Sequence, residues 1–145
     1  AVSADWSGPL VGEDGRLCPL SRVFYDDGNH DGGNVWGPEA RGAIVAAVRD
    51  DVEFEVMARN AEASGAVGLV VVDNEEVWED DWEMTADDPD KPPPGIPAVL
   101  VPKEFREHLC TGVEVKAMLF RQWGNLLDAG GRLQISPQGG LSAKK

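Results

Sequence analysis

The sequence predicts an α/β domain: a small mixed or barrel-like β-sheet built around a strand–helix–strand crossover unit, with two flanking helices. Two apolar runs, Ala43–Arg49 and Ala66–Val72, have the composition of strands that are covered on both faces. The segment between them, Asp50–Gly65, repeats its apolar residues at helical spacing. A strand, a helix and a strand in this order favour parallel pairing through a right-handed connection.

The helix of this unit has a single apolar face. Five small or apolar residues share it at spacings of three or four and follow one another as Phe54, Met57, Ala58, Ala61 and Gly65. We therefore expect this face to pack on the sheet.

Both ends of the helix carry sequence signals. Asp50 and Glu53 have the spacing of a capping box, which predicts that the helix begins there. Gly65 stands where the helix should end, because glycine enters the left-handed region without a Cβ clash.

The remaining elements are shorter. Strands are predicted over Ile96–Val101, Val113–Phe120 and Arg132–Ser136, and a short helix over Lys103–Cys110. Long loops are predicted over Asp26–Gly37 and Glu75–Gly95, where turn-forming residues are frequent and no apolar period is present. We expect residues 1–120 to form the domain and residues 121–145 to be a C-terminal extension or docking tail.

The composition restricts the classes of partner. The 145 residues are enough for one domain with a core, and the net charge is −13. Such a charge disfavours nucleic acid and anionic membrane surfaces, which proteins bind with Lys and Arg. No apolar run approaches the roughly 20 residues that cross a bilayer. We expect a protein partner with a basic segment, and no cofactor.

Several short motifs follow one another along the chain: Gly42-Ala43-Ile44-Val45, Arg49, Phe54, Asn60–Ala66 with Gly68, and Ile96-Pro97. Together they resemble the protease-associated domain family, the PA domain, over about residues 8 to 120. The run N-A-x-x-A/S-G-A followed at a distance by I-P is the most specific part.

The resemblance implies a non-catalytic protein-interaction module. PA domains are generally attached to proteases, sorting receptors and ubiquitin ligases, where they bind peptides or position substrates. We therefore expect part of a larger chain or assembly. A disulfide between Cys18 and Cys110 would favour an oxidising compartment, so we expect an organelle lumen or the outside of the cell. Two alternatives remain: a metal-dependent hydrolase fragment that uses the aspartate-rich loop, and a structural subunit docked by its C-terminal tail.

Catalytic motifs are missing from the sequence. The two histidines, His30 and His108, have no recognisable nucleophile motif near them, and there is no G-x-S-x-G. We therefore predict that the chain is not an enzyme.

The aspartate-rich loop, Asp26–Gly37, contains an incomplete calcium motif. Asp27, Asn29 and Asp31 alternate and Gly32 follows, as at the front of a calcium-binding loop. Pro38 then occupies the place of the bidentate glutamate. The sequence therefore predicts no metal site here, and zinc is disfavoured because both cysteines are isolated.

The second long loop is the most distinctive segment of the chain. Glu75–Asp90, called the acidic loop below, contains nine carboxylates and two tryptophans. The predicted partner-binding residues are Trp78, Glu79, Asp80, Asp81 and Trp82, since tryptophan often dominates interfaces. The alternative is that both tryptophans pack against the domain's own core.

The two cysteines leave the redox compartment open. Cys18 and Cys110 are compatible with one long-range disulfide or with two buried thiols.

Overall fold

A computed structural model of the chain describes residues 2–3, 20–77, 90–110, 115–119, 133–136 and 140–143. Side chains are described for residues 20–77, 90–110 and 115–117.

The described strands form one mixed sheet in the order β1-β5-β4-β3-β2-β6-β7-β8. Their bounds are β1 Val2–Ser3, β2 Ser21–Phe24, β3 Ile44–Val48, β4 Gly68–Val72, β5 Ala98–Val101, β6 Val115–Leu119, β7 Leu133–Ser136 and β8 Gly140–Ala143. The helices are α1, Phe54–Ala63, and α2, Arg106–Leu109. The predicted α/β class with a mixed sheet is therefore confirmed.

The crossover unit forms as the sequence predicts. β3 and β4 pair in parallel, from Ile44 opposite Gly68 to Val48 opposite Val72, and α1 connects them. β5 adds to β4 and β2 adds to β3, also in parallel. Because β3, β4 and β5 run the same way, their final residues Val48, Val72 and Val101 lie at one edge of the sheet, called the carboxyl edge below.

The sheet is covered on both faces. Every residue of β3, β4 and β5 is buried, and alternate side chains enter two separate cores. Val45 and Ala47 contribute to the core that contains α1 residues such as Met57. Ile44 and Ala46 contribute to the core that contains Leu109 of α2. The unbroken apolar runs are explained by this double burial.

The start of α1 differs from the prediction. The helix begins at Phe54, with Glu53 as an N-cap whose side chain makes no capping hydrogen bond. The predicted capping box is wrong because Asp50 lies three residues before the N-cap, too far to reach the first free N–H groups. Phe54 itself is half-buried and packs against the first core.

The end of α1 follows the prediction in conformation but not in position. Gly65 has a φ of +78°, as a glycine at the end of a helix should. This residue is exposed and does not face the sheet, because the helix ends at Ala63 and the chain has already turned away.

The C-terminal elements extend the same sheet. A 3₁₀ turn, Lys103–Phe105, runs directly into α2, so the predicted short helix is confirmed in two parts. β6 pairs with β2, β7 with β6 and β8 with β7. β7 and β8 lie inside the predicted extension, and the boundary at residue 120 stays a prediction. Among the described residues, no helix is long and apolar enough to span a membrane.

The buried face of α1 gives the first testable prediction. Met57 is fully buried, so Met57→Ala should lower the free energy of unfolding by about 2–5 kcal/mol through the cavity that it leaves. The neighbouring Val56 is 40% exposed, and Val56→Ala should change this energy by less than about 1 kcal/mol. Urea unfolding followed by circular dichroism measures both, and equal effects would contradict the packing of α1.

Candidate functional site

A pocket opens at the carboxyl edge, where the chain leaves β4 and β5. Its volume is about 620 Å³. The lining residues come from the segment after β4 and from the 3₁₀ turn and helix after β5: Glu75, Glu76, Pro102, Lys103, Glu104, Arg106, Glu107 and Cys110. Ligands of open parallel sheets commonly bind outside the carboxyl ends of the strands, so this pocket is the candidate site.

The pocket wall carries more negative than positive charge. It has four glutamates against Lys103 and Arg106. Lys103 Nζ lies 2.6 Å from Glu76 Oε1. This hydrogen bond and the ammonium charge hold the pKa of Glu76 below its usual range.

The other three glutamates of the wall differ from Glu76 in their ion pairing. Within the described part of the chain, the side chains of Glu75, Glu104 and Glu107 have no ion-pair partner. Three carboxylates therefore line this concave surface without a cationic partner from the described residues.

A buried ion pair fixes the first wall of the pocket. The Asp73 carboxylate has no exposed surface, and its Oδ1 accepts a 2.9 Å hydrogen bond from Arg49 Nη1. The same oxygen accepts the backbone N–H of Asn74 at 2.8 Å and that of Glu75 at 3.3 Å. Since Arg49 follows β3 and Asp73 follows β4, the pair joins two strand ends and sets where the acidic loop begins.

The other end of the acidic loop is held by α1. Arg59 Nη2 donates to the Pro92 carbonyl at 2.9 Å, and the Glu62 carboxylate accepts the Gly95 N–H. The loop thus leaves and rejoins the domain at fixed points. Its predicted partner-binding residues Trp78, Glu79, Asp80, Asp81 and Trp82 lie outside the described residues, so their role stays a prediction.

Cys110 also lines the pocket. Burial raises the pKa of its thiol to about 11, the Arg106 charge acts against this rise, and the Asp27 charge adds to it. Burial also raises the pKa of Tyr25, with further contributions from Cys110 and from a hydrogen bond with Asp27. Cys110 forms no disulfide with any residue that the structure describes, and Cys18 lies outside those residues, so their pairing stays a prediction.

The three residues of the calcium motif serve other contacts. Buried Asn29 donates from Nδ2 to the Asn34 carbonyl at 2.7 Å, and its Oδ1 accepts the Asn34 N–H at 3.0 Å. Asp31 Oδ1 accepts the Gly33 N–H at 3.0 Å. Asp27 lies beside Tyr25 and adds to the burial that raises the pKa of that hydroxyl. The alternating spacing is therefore explained by the hydrogen bonds of the loop itself.

A different grouping arises in the folded chain. Side-chain atoms of His30, Asp31 and Asp50 that could each act as a metal ligand lie within 4.8 Å of one another. They come together because the Val48 N–H donates to the His30 carbonyl at 2.7 Å, which brings this loop to the end of β3. His30 and Asp50 are exposed, and the arrangement differs from the alternating motif in the sequence.

Sequence reasoning missed most of the pocket wall. Glu104, Arg106 and Glu107 were recognised only as parts of a short helix, because charged residues there are typical of a solvated surface. The available signal was their position directly after a buried parallel strand.

The calcium motif should bind no calcium tightly. Asn29 already uses both ends of its amide, so calorimetric titration of the protein with CaCl₂ should give no micromolar site. Micromolar affinity that Asp31→Ala abolishes would overturn this prediction.

The Cys110 thiol should react slowly. Its raised pKa keeps it protonated at pH 8, so in a Cys18→Ala variant iodoacetamide should alkylate it at least about tenfold more slowly than in urea. The native-state rate should rise as the pH approaches 11. Equal rates in both conditions would show that Cys110 is exposed; mass spectrometry of the modified peptide measures them.

Comparison with known proteins identifies the fold family. The family model for the PA domain matches residues 6–109. Among solved structures, BSAP, a zinc aminopeptidase from Bacillus subtilis, is similar to the chain with a TM-score of 0.52 and 24% sequence identity. A medium-resolution structure of BSAP has a TM-score of 0.44 and 21% identity.

These similarities concern a part of each aminopeptidase chain. Each covers 65% of the present chain and 22% of that chain. No curated protein sequence matches significantly. The family match extends over the whole crossover unit, both long loops and α2, and the chain therefore belongs to the PA domain family.

Proposed function

We propose that the chain is a non-catalytic protein-interaction module of a larger chain or assembly, and that a protein partner docks at the carboxyl edge. The observation that carries this proposal is the pocket between the segment after β4 and the helix after β5. The pocket is concave, and its lining includes Glu75 and Glu76, the first two residues of the acidic loop.

The fixed ends of the acidic loop support this role. Asp73 holds the start of the loop, and Arg59 holds the chain at Pro92, just after the loop ends. A surface that is held in place loses less conformational entropy when a partner binds.

The charge of the protein supports a basic partner segment. The net charge is −13, and nine carboxylates lie within the acidic loop. Such a field accelerates encounter with a basic segment and becomes weaker as salt screens it. Trp78 or Trp82 would then slow dissociation by burying a large apolar surface.

Library-selected peptides test the carboxyl edge as a docking surface. Peptides selected from an unbiased 12-residue phage library on the immobilised protein should, as synthetic peptides, shift amide NMR signals of residues 75–76 and 103–110. Shifts confined to the opposite edge, or no enrichment, would contradict the proposal. Glu39→Gln removes one exposed charge just before β3 and should leave affinity unchanged.

The acidic loop makes two separable contributions to the binding of a selected peptide. Neutralising Glu79, Asp80 and Asp81 should slow association and flatten its salt dependence. Trp78→Ala or Trp82→Ala should accelerate dissociation, at a cost of about 2 kcal/mol if the residue is a hot spot. Surface plasmon resonance measures both rates. Unchanged affinity after deletion of residues 76–90 would show that the loop is ordinary solvated surface.

A further inference from the structure

We propose that the pocket at the carboxyl edge binds one cationic side chain of the partner, with arginine preferred, and that Glu75, Glu104 and Glu107 recognise it. This inference rests on the proposed function and adds the chemistry of the residue that enters the pocket. It places the specific contact in the pocket wall, whereas the acidic loop supplies steering.

The charge inside the cavity is complementary to a cation. The four glutamates of the wall exceed Lys103 and Arg106 by two charges. Lys103 is already compensated by Glu76 at 2.6 Å. What remains is three glutamates with no ion-pair partner in the described part of the chain, together with the Arg106 guanidinium, so the wall keeps a net charge of −2.

One ammonium group of the chain itself, that of Lys103, already contacts a glutamate of the wall. The Lys103 ammonium donates to Glu76 and holds the pKa of that carboxyl low. This internal pair shows that a primary ammonium group can reach a wall carboxylate across the gap between the two segments. The partner's cation would make the equivalent contact with Glu104, Glu107 or Glu75 on the same wall.

The two chain segments that carry these glutamates are both anchored to the rest of the domain. Glu75 is positioned by its own N–H bond to the buried Asp73 carboxylate. Glu104 and Glu107 lie on a continuous helical segment whose Leu109 is anchored in the second core. Carboxylates on two anchored segments can hold a cation between them with little rearrangement.

Size and geometry favour arginine over lysine. A volume of about 620 Å³ accommodates a long side chain together with part of its backbone. A guanidinium offers five N–H donors in a planar fork and can contact carboxylates on both sides at once. An ammonium is a more strongly hydrated point charge and should satisfy fewer of them.

The test uses three peptides that differ at one residue. The probes are acetylated, amidated pentapeptides Gly-Gly-X-Gly-Gly in which X is arginine, lysine or the uncharged isostere citrulline. Amide NMR titration follows residues 75–76 and 103–110, since this method detects millimolar affinities. We expect the arginine peptide to shift these signals, with a Kd at least about tenfold lower than that of the citrulline peptide and lower than that of the lysine peptide.

Matched protein variants locate the contact. Glu104→Gln and Glu107→Gln should each weaken the arginine peptide severalfold, and Glu39→Gln, which removes the same charge at the opposite edge, should not. All three positions are exposed, so circular dichroism should show folded proteins with unchanged unfolding temperatures.

The outcomes separate this inference from the proposed function. If citrulline and arginine peptides bind equally, or if Glu39→Gln weakens binding as much as Glu104→Gln, the pocket does not recognise a cation. Phage-selected peptides that still shift the carboxyl-edge signals would then leave the interaction role standing. If the arginine peptide shifts no signal at the pocket up to 20 mM, about the limit of such titrations, the inference is overturned as well.

Discussion

Parallel pairing of two fully apolar strands is the constraint on which the rest of the structure depends. β3 and β4 expose no residue, so each face of the sheet must be covered by another layer. α1 supplies one cover and forms the connection that parallel strands require. The segment with α2 supplies the other through Leu109. Covering both faces with helical segments leaves the ends of the strands as the place where loops can form a site.

A buried carboxylate, that of Asp73, organises the polar contacts at the strand ends. Asp73 is the first residue after β4, and it can be buried only because Arg49 and two backbone N–H groups satisfy one of its oxygens. Its second oxygen, Oδ2, is buried without a hydrogen bond among the described residues. Burying a carboxylate costs free energy. The buried Asp73 carboxylate in return anchors the chain after β4 and thereby sets the position of the pocket wall.

The proposed site combines the pocket wall beside the buried strands with the acidic loop. Glu75 and Glu104 each lie three residues after a buried strand, and the Glu75 N–H donates to the buried Asp73 carboxylate. The acidic loop carries most of its charge farther along the chain, between anchors at Asp73 and Pro92. In such a division, long-range charge affects the rate of encounter, and short-range geometry in the pocket affects how long a partner stays.

Some features of this protein were determined by the sequence alone. The apolar runs, the helical repeat between them and the helix-ending Gly65 were enough to predict the crossover unit, because burial and backbone sterics act over a few neighbouring residues. The motif set around Asn60–Ala66 was enough to suggest the family. The charge of −13 was enough to indicate the class of partner that we propose.

Other features were decided only by the tertiary structure. The helix start moved to Phe54, since local spacing at Asp50 and Glu53 does not say where packing begins. Asn29 and Asp31 of the calcium-like motif form hydrogen bonds within their own loop, whereas Asp50 joins His30 from a distant part of the chain. The pocket brings Glu75 beside Lys103 and Glu107 because parallel strands end together, and no spacing along the chain encodes that proximity.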